Sequence, residues 1–240
     1  MVNFHNLPIS ERLTLTRRGT AFYSGQLALI GNHEFGDPTL LEDWDVAHLA
    51  AHVAYNANAL CNLMHWASTG EETPMYSSPE ARNREIEFGS TLIPDAIRNL
   101  HDHTLVRLDV AWRDADDAAW SSEVRTAQGR TVQASETLWM RTREVWLHAI
   151  DLNKTGNFSD VPRVILETLV PEIVQKWRSN GDGAGLVLID SDSGNSYEAS
   201  ETASIEIHGT LAGLARWASG RGDAGVESPQ GKVPSPPRWL

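Results

Sequence analysis

The sequence predicts an α+β fold, a four-helix bundle followed by a smaller α/β domain. Three observations carry this. Long runs with apolar residues at helical spacing fill roughly the first 150 residues. The remainder mixes helices with short strand-like runs. The loops between the long runs suit antiparallel neighbours with one longer crossover. The boundary falls near 153–160, giving a bundle over 1–153 and a small domain over 154–240.

Pro8 followed by Ser10 opens a first helix that runs through Leu13, Thr16, Ala21 and Leu27 to about Ile30, where Gly31-Asn32 ends it. Asp43 or Asp45 caps a second, which continues to about Ser68 and stops at Gly70. Residues 79–89 read as a shorter helix and Pro94 starts another to about Trp112, because proline is preorganised for a first helical turn. Gln128-Gly129 turns a small hairpin within 121–132. Ser135 then precedes an amphipathic run to about Leu152, and Thr155-Gly156-Asn157 makes a turn. Beyond it lie a helix over 161–177, an apolar strand over 185–190, an alternating strand over 203–208 and a last helix over 210–219 ended by Gly220. The Pro-rich stretch 233–238 is extended, and no internal repeat is visible.

Composition narrows the function. The 240 residues carry 20 Lys and Arg against 32 Asp and Glu, a formal charge of −12. Phosphate backbones and anionic membranes are recognised by basic faces, so neither nucleic acid nor a membrane surface is an expected partner. No signal-peptide pattern and no apolar run of membrane length occurs, so a soluble cytoplasmic protein is expected, and a monomer. A single cysteine, Cys61, excludes internal disulfides and CxxC motifs. A metal ion must then be held by histidine and carboxylate.

The sharpest local signal is Glu144-x-x-x-His148, which on a helix places a carboxylate and an imidazole on one face. The spacing is common by chance, and an exposed Glu/His pair is the competing reading. A third donor is available on another helix, where His52 shares an apolar stripe with Leu49, Ala59 and Leu63 and so points into the bundle. It is either a neutral core histidine or the third member of a His₂Glu set, which suits zinc with one open position. His48, four residues earlier, is the alternative ligand. His101 and His103 fall on opposite helix faces and read as a solvated surface. Cys61, on the side of its helix opposite His52, reads as a small buried apolar residue and an inert thiol. Arg82, Arg84 and Arg221 are candidate clamps for substrate carboxylates, against the reading of ordinary surface charges.

The runs Trp44-Asp45-Val46-x-His48-Leu49-x-x-His52-Val53 and Arg141-x-x-Glu144-x-x-x-His148-x-x-Asp151-Leu152 resemble the DinB-like, mycothiol-dependent metalloenzymes. The longer runs 51–56, 59–66, 70–76 and 236–240 resemble the branch of that family that isomerises maleylpyruvate, over essentially the whole chain. The resemblance implies a DinB-like four-helix bundle with a smaller α/β domain, a divalent metal, as a rule zinc, on His52, Glu144 and His148, and mycothiol as thiol cofactor. It implies a catalytic and substrate-binding role for Arg82. Arg221 matches the Gly-Arg that closes the family's carboxy-terminal domain, a second substrate-binding candidate.

The implied reaction is the cis–trans isomerisation of maleylpyruvate, a small dicarboxylate of gentisate breakdown, to fumarylpyruvate. Adding a thiolate to the conjugated double bond lowers its order to one, the bond rotates, and elimination returns the thiolate and leaves the trans isomer. Asp151, seven residues after Glu144 on the same face, either orients His148 or makes a helix-terminal salt bridge. A related S-transferase conjugating mycothiol to electrophiles is the alternative, sharing the metal ligands and differing in the arginine-lined pocket. A metallo-hydrolase would need no thiol, and a zinc-bound regulatory module would carry a His-x-x-x-Cys-x-x-Cys motif that is missing here.

Overall fold

A computed structural model describes residues 3–202 and 204–239. The first residue of the strand expected over 203–208 and the last residue of the run 236–240 lie outside the described residues. The chain forms two compact units, one spanning Leu7–Gly156, the other combining the residues up to Asn6 with those from Asn157 onward.

The first unit is the bundle. Helices α1 (Ile9–Ala28), α2 (Val46–Thr69), α4 (Pro94–Arg113) and α6 (Glu136–Asp151) form it, with α3 (Pro79–Ser90) and the short α5 (Asp117–Ser121) in its connections. A two-stranded antiparallel hairpin, β1 (Glu123–Arg125) and β2 (Thr131–Gln133), precedes α6. The start and stop of α2 are chemical. Asp45 accepts a hydrogen bond from the His48 amide, which satisfies one of the free first-turn donors. Gly70 closes the other end in the left-handed conformation that glycine adopts without a Cβ penalty. Between these caps α2 is buried on nearly every side, from Val46 through Ala67, so it forms the axis on which α3, α4 and α6 pack.

Two close approaches position the helices around the site. At Gly19 on α1, a Cβ would sit 2.5 Å from Trp146 Nε1 on α6. At Gly89 on α3, one would sit 2.7 Å from the Tyr55 ring and 2.8 Å from Ala51, so only glycine lets α3 lie this close to α2. The loop before α2 is tied to α6, where the Leu40 amide donates to the Asp151 carbonyl at 3.0 Å.

The second unit holds a four-stranded mixed sheet in the order β4-β3-β5-β6, with β3 (Leu186–Asp190) and β5 (Ile205–Gly209) parallel and β4 (Ser196–Glu198) and β6 (Val226–Glu227) antiparallel to their neighbours. Helices α7 (Arg163–Asn180) and α8 (Leu211–Ala218) complete it, with Trp177 packed edge-on against Trp217 in its core. The Phe4 amide donates to Thr168 Oγ1 at 2.9 Å, which fastens the start of the chain into this unit. The α+β class is as expected, while α5, β4 and β6 were not anticipated, being too short to show a period. No helix among the described residues is long and apolar enough to cross a membrane.

Candidate metal centre

His52 sits on the second turn of α2, buried with Leu49, Ala59 and Leu63. On α6, the i,i+4 spacing sets Glu144 and His148 side by side. The two helices bring all three together. Glu144 Oε2 lies 3.0 Å from His52 Nε2 and 3.0 Å from His148 Nε2. The imidazole rings meet edge to face with centroids 5.2 Å apart. Donor atoms from the three residues all fall within 4.8 Å of one another, the one such group of three among the described residues.

Around these donors stands a set of supports. Asp151, fully buried, places Oδ2 2.9 Å from His148 Nδ1. The Trp44 ring lies 5.1 Å from that of His52. From α3, Arg82 directs Nη2 at His52 Nδ1 from 3.4 Å, and its guanidinium is also hydrogen-bonded to Tyr76, in the loop between α2 and α3.

The charges divide unevenly. Burial pushes the His52 imidazole down, against the pull of Glu144 and with help from His148 and Arg82, so it is neutral. Burial also opposes charge on His148, but hydrogen bonds to Asp151 and Glu144 outweigh it and raise that imidazole to about 9. Glu144 is held well below the usual carboxylate range, because the two histidines overcome its own desolvation. Burial lifts the Tyr76 phenol to about 12, with Glu144 adding to the shift and Arg82 opposing it. One positive charge, on His148, thus faces one carboxylate and one neutral imidazole in this pocket. Such a pocket fits a divalent cation, since the donors are two nitrogens and an anionic oxygen, a set that leaves a fourth position open in a tetrahedral site.

The other candidates go elsewhere. His48 binds Asp45 Oδ1 through Nδ1 at 2.7 Å and stands 3.7 Å from Glu87 through Nε2, outside the donor group. Arg84 is exposed on α3. Arg221 belongs to the second unit, where Nη1 donates to the Ser219 carbonyl at 2.6 Å. Cys61 is buried and its thiol is pushed up by desolvation; Arg107 and Arg141 oppose this without reversing it. His101 corrects the expectation of a solvated face. It is 1% exposed, lies tilted against the Tyr23 ring with centroids 5.2 Å apart and places Nε2 2.9 Å from Ser24 Oγ. Trp44 and Tyr76 enter the sequence reading only within the runs that carry the family resemblance, with no role of their own. Trp44, one residue before the cap, had a detectable signal in its position as an apolar residue flanking a helix start, whereas Tyr76 lies in a loop with no periodicity.

The family described as mycothiol maleylpyruvate isomerase N-terminal domain matches residues 16–153. No curated protein sequence matches the chain. Among solved structures, the crystal structure of a mycothiol-dependent maleylpyruvate isomerase is 62% identical, with each chain covered in full and a TM-score of 0.98. The crystal structure of the H52A mutant of such an enzyme gives the same identity, coverage and TM-score.

Proposed function

We infer the activity of this chain from its family, for it belongs to the mycothiol maleylpyruvate isomerases. It is a mycothiol-dependent isomerase that converts maleylpyruvate to its trans isomer, fumarylpyruvate. The observation that carries the reading in this chain is the convergence of His52, Glu144 and His148 with Arg82 beside them. Each side chain then takes a role in the proposal that follows.

His52, Glu144 and His148 hold a divalent metal, and zinc suits the two-nitrogen, one-carboxylate set. When bound, such an ion supplies Lewis acidity and keeps a coordinated thiol deprotonated. Arg82 engages a substrate carboxylate through its forked donors and faces the negative charge that collects on the conjugated carbonyl oxygen as the double bond loses order. Arg221 keeps a proposed part in substrate binding through its place in the Gly-Arg motif alone. Asp151 holds the His148 ring in one orientation and makes it a better donor. Trp44 and Tyr76 shield the His52 side of the pocket from water. All the ligands come from one bundle, so a monomer suffices, and the lack of structural disulfides suits the cytoplasm.

Metal uptake must expel the proton on His148. Because that imidazole is raised to about 9, metal affinity climbs as pH rises and flattens only above about 9. Asp151→Asn lowers affinity by about 10–100-fold at fixed pH. Competition against a chelator of known affinity between pH 6.5 and 9.5 reads both effects; pH-independent affinity would remove His148 from the ligand set.

Turnover of maleylpyruvate by purified protein, with and without mycothiol and after chelator treatment, tests the whole reading. Activity requiring both thiol and metal supports it. Activity without thiol turns the assignment to a hydrolase, and conjugation of a neutral electrophile with no isomerisation turns it to an S-transferase.

A further inference from the structure

We propose that the cavity between α1 and α4 is a second small-molecule site, one that takes a compact apolar monocarboxylate with its head group on Arg141. The cavity has a volume of about 440 Å³, inside the range of about 300–1,000 Å³ that small-molecule sites occupy. Its walls set Ala21 from α1 and Leu105, Leu108 and Trp112 from α4 among the polar Thr20, Ser24 and Arg113. Arg141 reaches it from α6 and is itself 1% exposed.

The state of Arg141 identifies the missing chemistry. Nη1 donates to the Val53 carbonyl at 2.7 Å and to Asn56 Oδ1 at 2.9 Å. Nη2 is buried with no hydrogen-bond partner among the described residues. Both acceptors that Nη1 finds are neutral. The carboxylate that acts on Arg141, Glu144, already serves His52 and His148. A buried cation with an unused donor costs more than a neutral group left in the same state, so an anionic acceptor is the partner this position lacks. Two further buried atoms stand without partners, Tyr23 Oη and His101 Nδ1, and both residues interact electrostatically with Arg141. Neither supplies the charge. Burial lifts the Tyr23 phenol and pushes the His101 imidazole down to about 3, so both are neutral.

The cavity mouth sets the rest of the ligand. Arg17 neutralises Asp109 there at 2.7 Å, so no free carboxylate repels an entering anion. Val106 and Val110 flank the opening, 56% and 37% exposed. A ring or short alkyl body covers them, and the other cations of the lining are already paired, Arg17 with Asp109 and Arg113 with Asp114 at 2.8 Å, so one carboxylate is what the site calls for. This separates the ligand class from a dicarboxylate substrate, and the inference needs nothing from the isomerase reading.

The test uses 4-fluorobenzoate as probe and ¹⁹F NMR as readout on the metal-loaded protein. Saturable binding at about 1 mM or tighter is expected, with at least about tenfold loss in Arg141→Met. Since removing a buried cation can unfold a bundle, Ala21→Trp serves as the second variant. It fills the cavity from an exposed helix position and is expected to weaken the probe by about tenfold. Arg82→Ala leaves probe binding unchanged. The proposal is overturned if the probe fails to saturate by about 20 mM, if it is lost in Arg82→Ala and kept in Ala21→Trp, or if 4-fluorobenzyl alcohol binds equally well.

Discussion

Glu144→Gln is expected to abolish isomerisation, lowering turnover by about 10³-fold, because a metal's charge stabilisation is worth several kcal/mol and each 1.4 kcal/mol is a factor of ten. The substitution preserves shape and removes the anion that both His52 and His148 face at 3.0 Å. Without that charge the pocket keeps two neutral donors and an amide, a much weaker set for a divalent ion. Metal content measured by atomic emission after desalting should fall with activity. His148 meanwhile loses a partner that raises it, so its imidazole titrates below about 9, visible by NMR of the metal-free protein. Full metal content together with wild-type turnover would remove Glu144 from the proposed ligand set.

Arg82→Ala is the second large effect, with kcat expected to fall by about 10²–10³-fold, the usual cost of deleting one donor aimed at developing negative charge. Metal content should stay at the wild-type level, because Arg82 reaches the site only through His52 Nδ1 and Tyr76. That contrast separates loss of substrate handling from loss of the metal. Arg82→Lys should recover little, since an ammonium lacks the planar fork that meets a carboxylate with two parallel bonds. Steady-state kinetics on the three proteins, with Arg84→Ala as an exposed control expected within about threefold, checks the assignment. Equal losses for Arg82→Ala and Arg84→Ala would mean that charge on α3 matters and the position does not.

Where the chain announces its own punctuation, the fold is readable. Asp45, Gly70, Pro79 and Pro94 mark helix ends because each satisfies or removes a backbone group that a helix terminus leaves over. The inward direction of His52 follows from Leu49, Ala59 and Leu63 on the same stripe, and Glu144 and His148 pair through helical geometry alone. The convergence of α2 on α6 is a different matter. The two segments lie 92 residues apart, and only packing determines that His52 faces Glu144 while His48 turns to Asp45. His101 failed for the same reason: a histidine flanked by Asp102 and His103 looks solvated in sequence, yet α4 presents it to Tyr23. Arg141 shows the limit in another form. The sequence places it only within the family motif, and its burial, with Nη1 on Val53 and Asn56 of α2, follows from packing.

The contact between Arg82 and His52 has a consequence for the proposed metal site. Arg82 has only donors to offer, so the neutral His52 ring accepts from it at Nδ1 and carries its proton on Nε2, from which it donates a hydrogen bond to Glu144. A neutral imidazole that donates its Nε2 lone pair to a metal must carry its proton on Nδ1 instead. With an ion held there, Arg82 would meet a donor where it had an acceptor, and its guanidinium would be free for a carboxylate. Under the proposed ligand set, loading an ion would thus also free the arginine, and a carboxylate would find it available only after the metal.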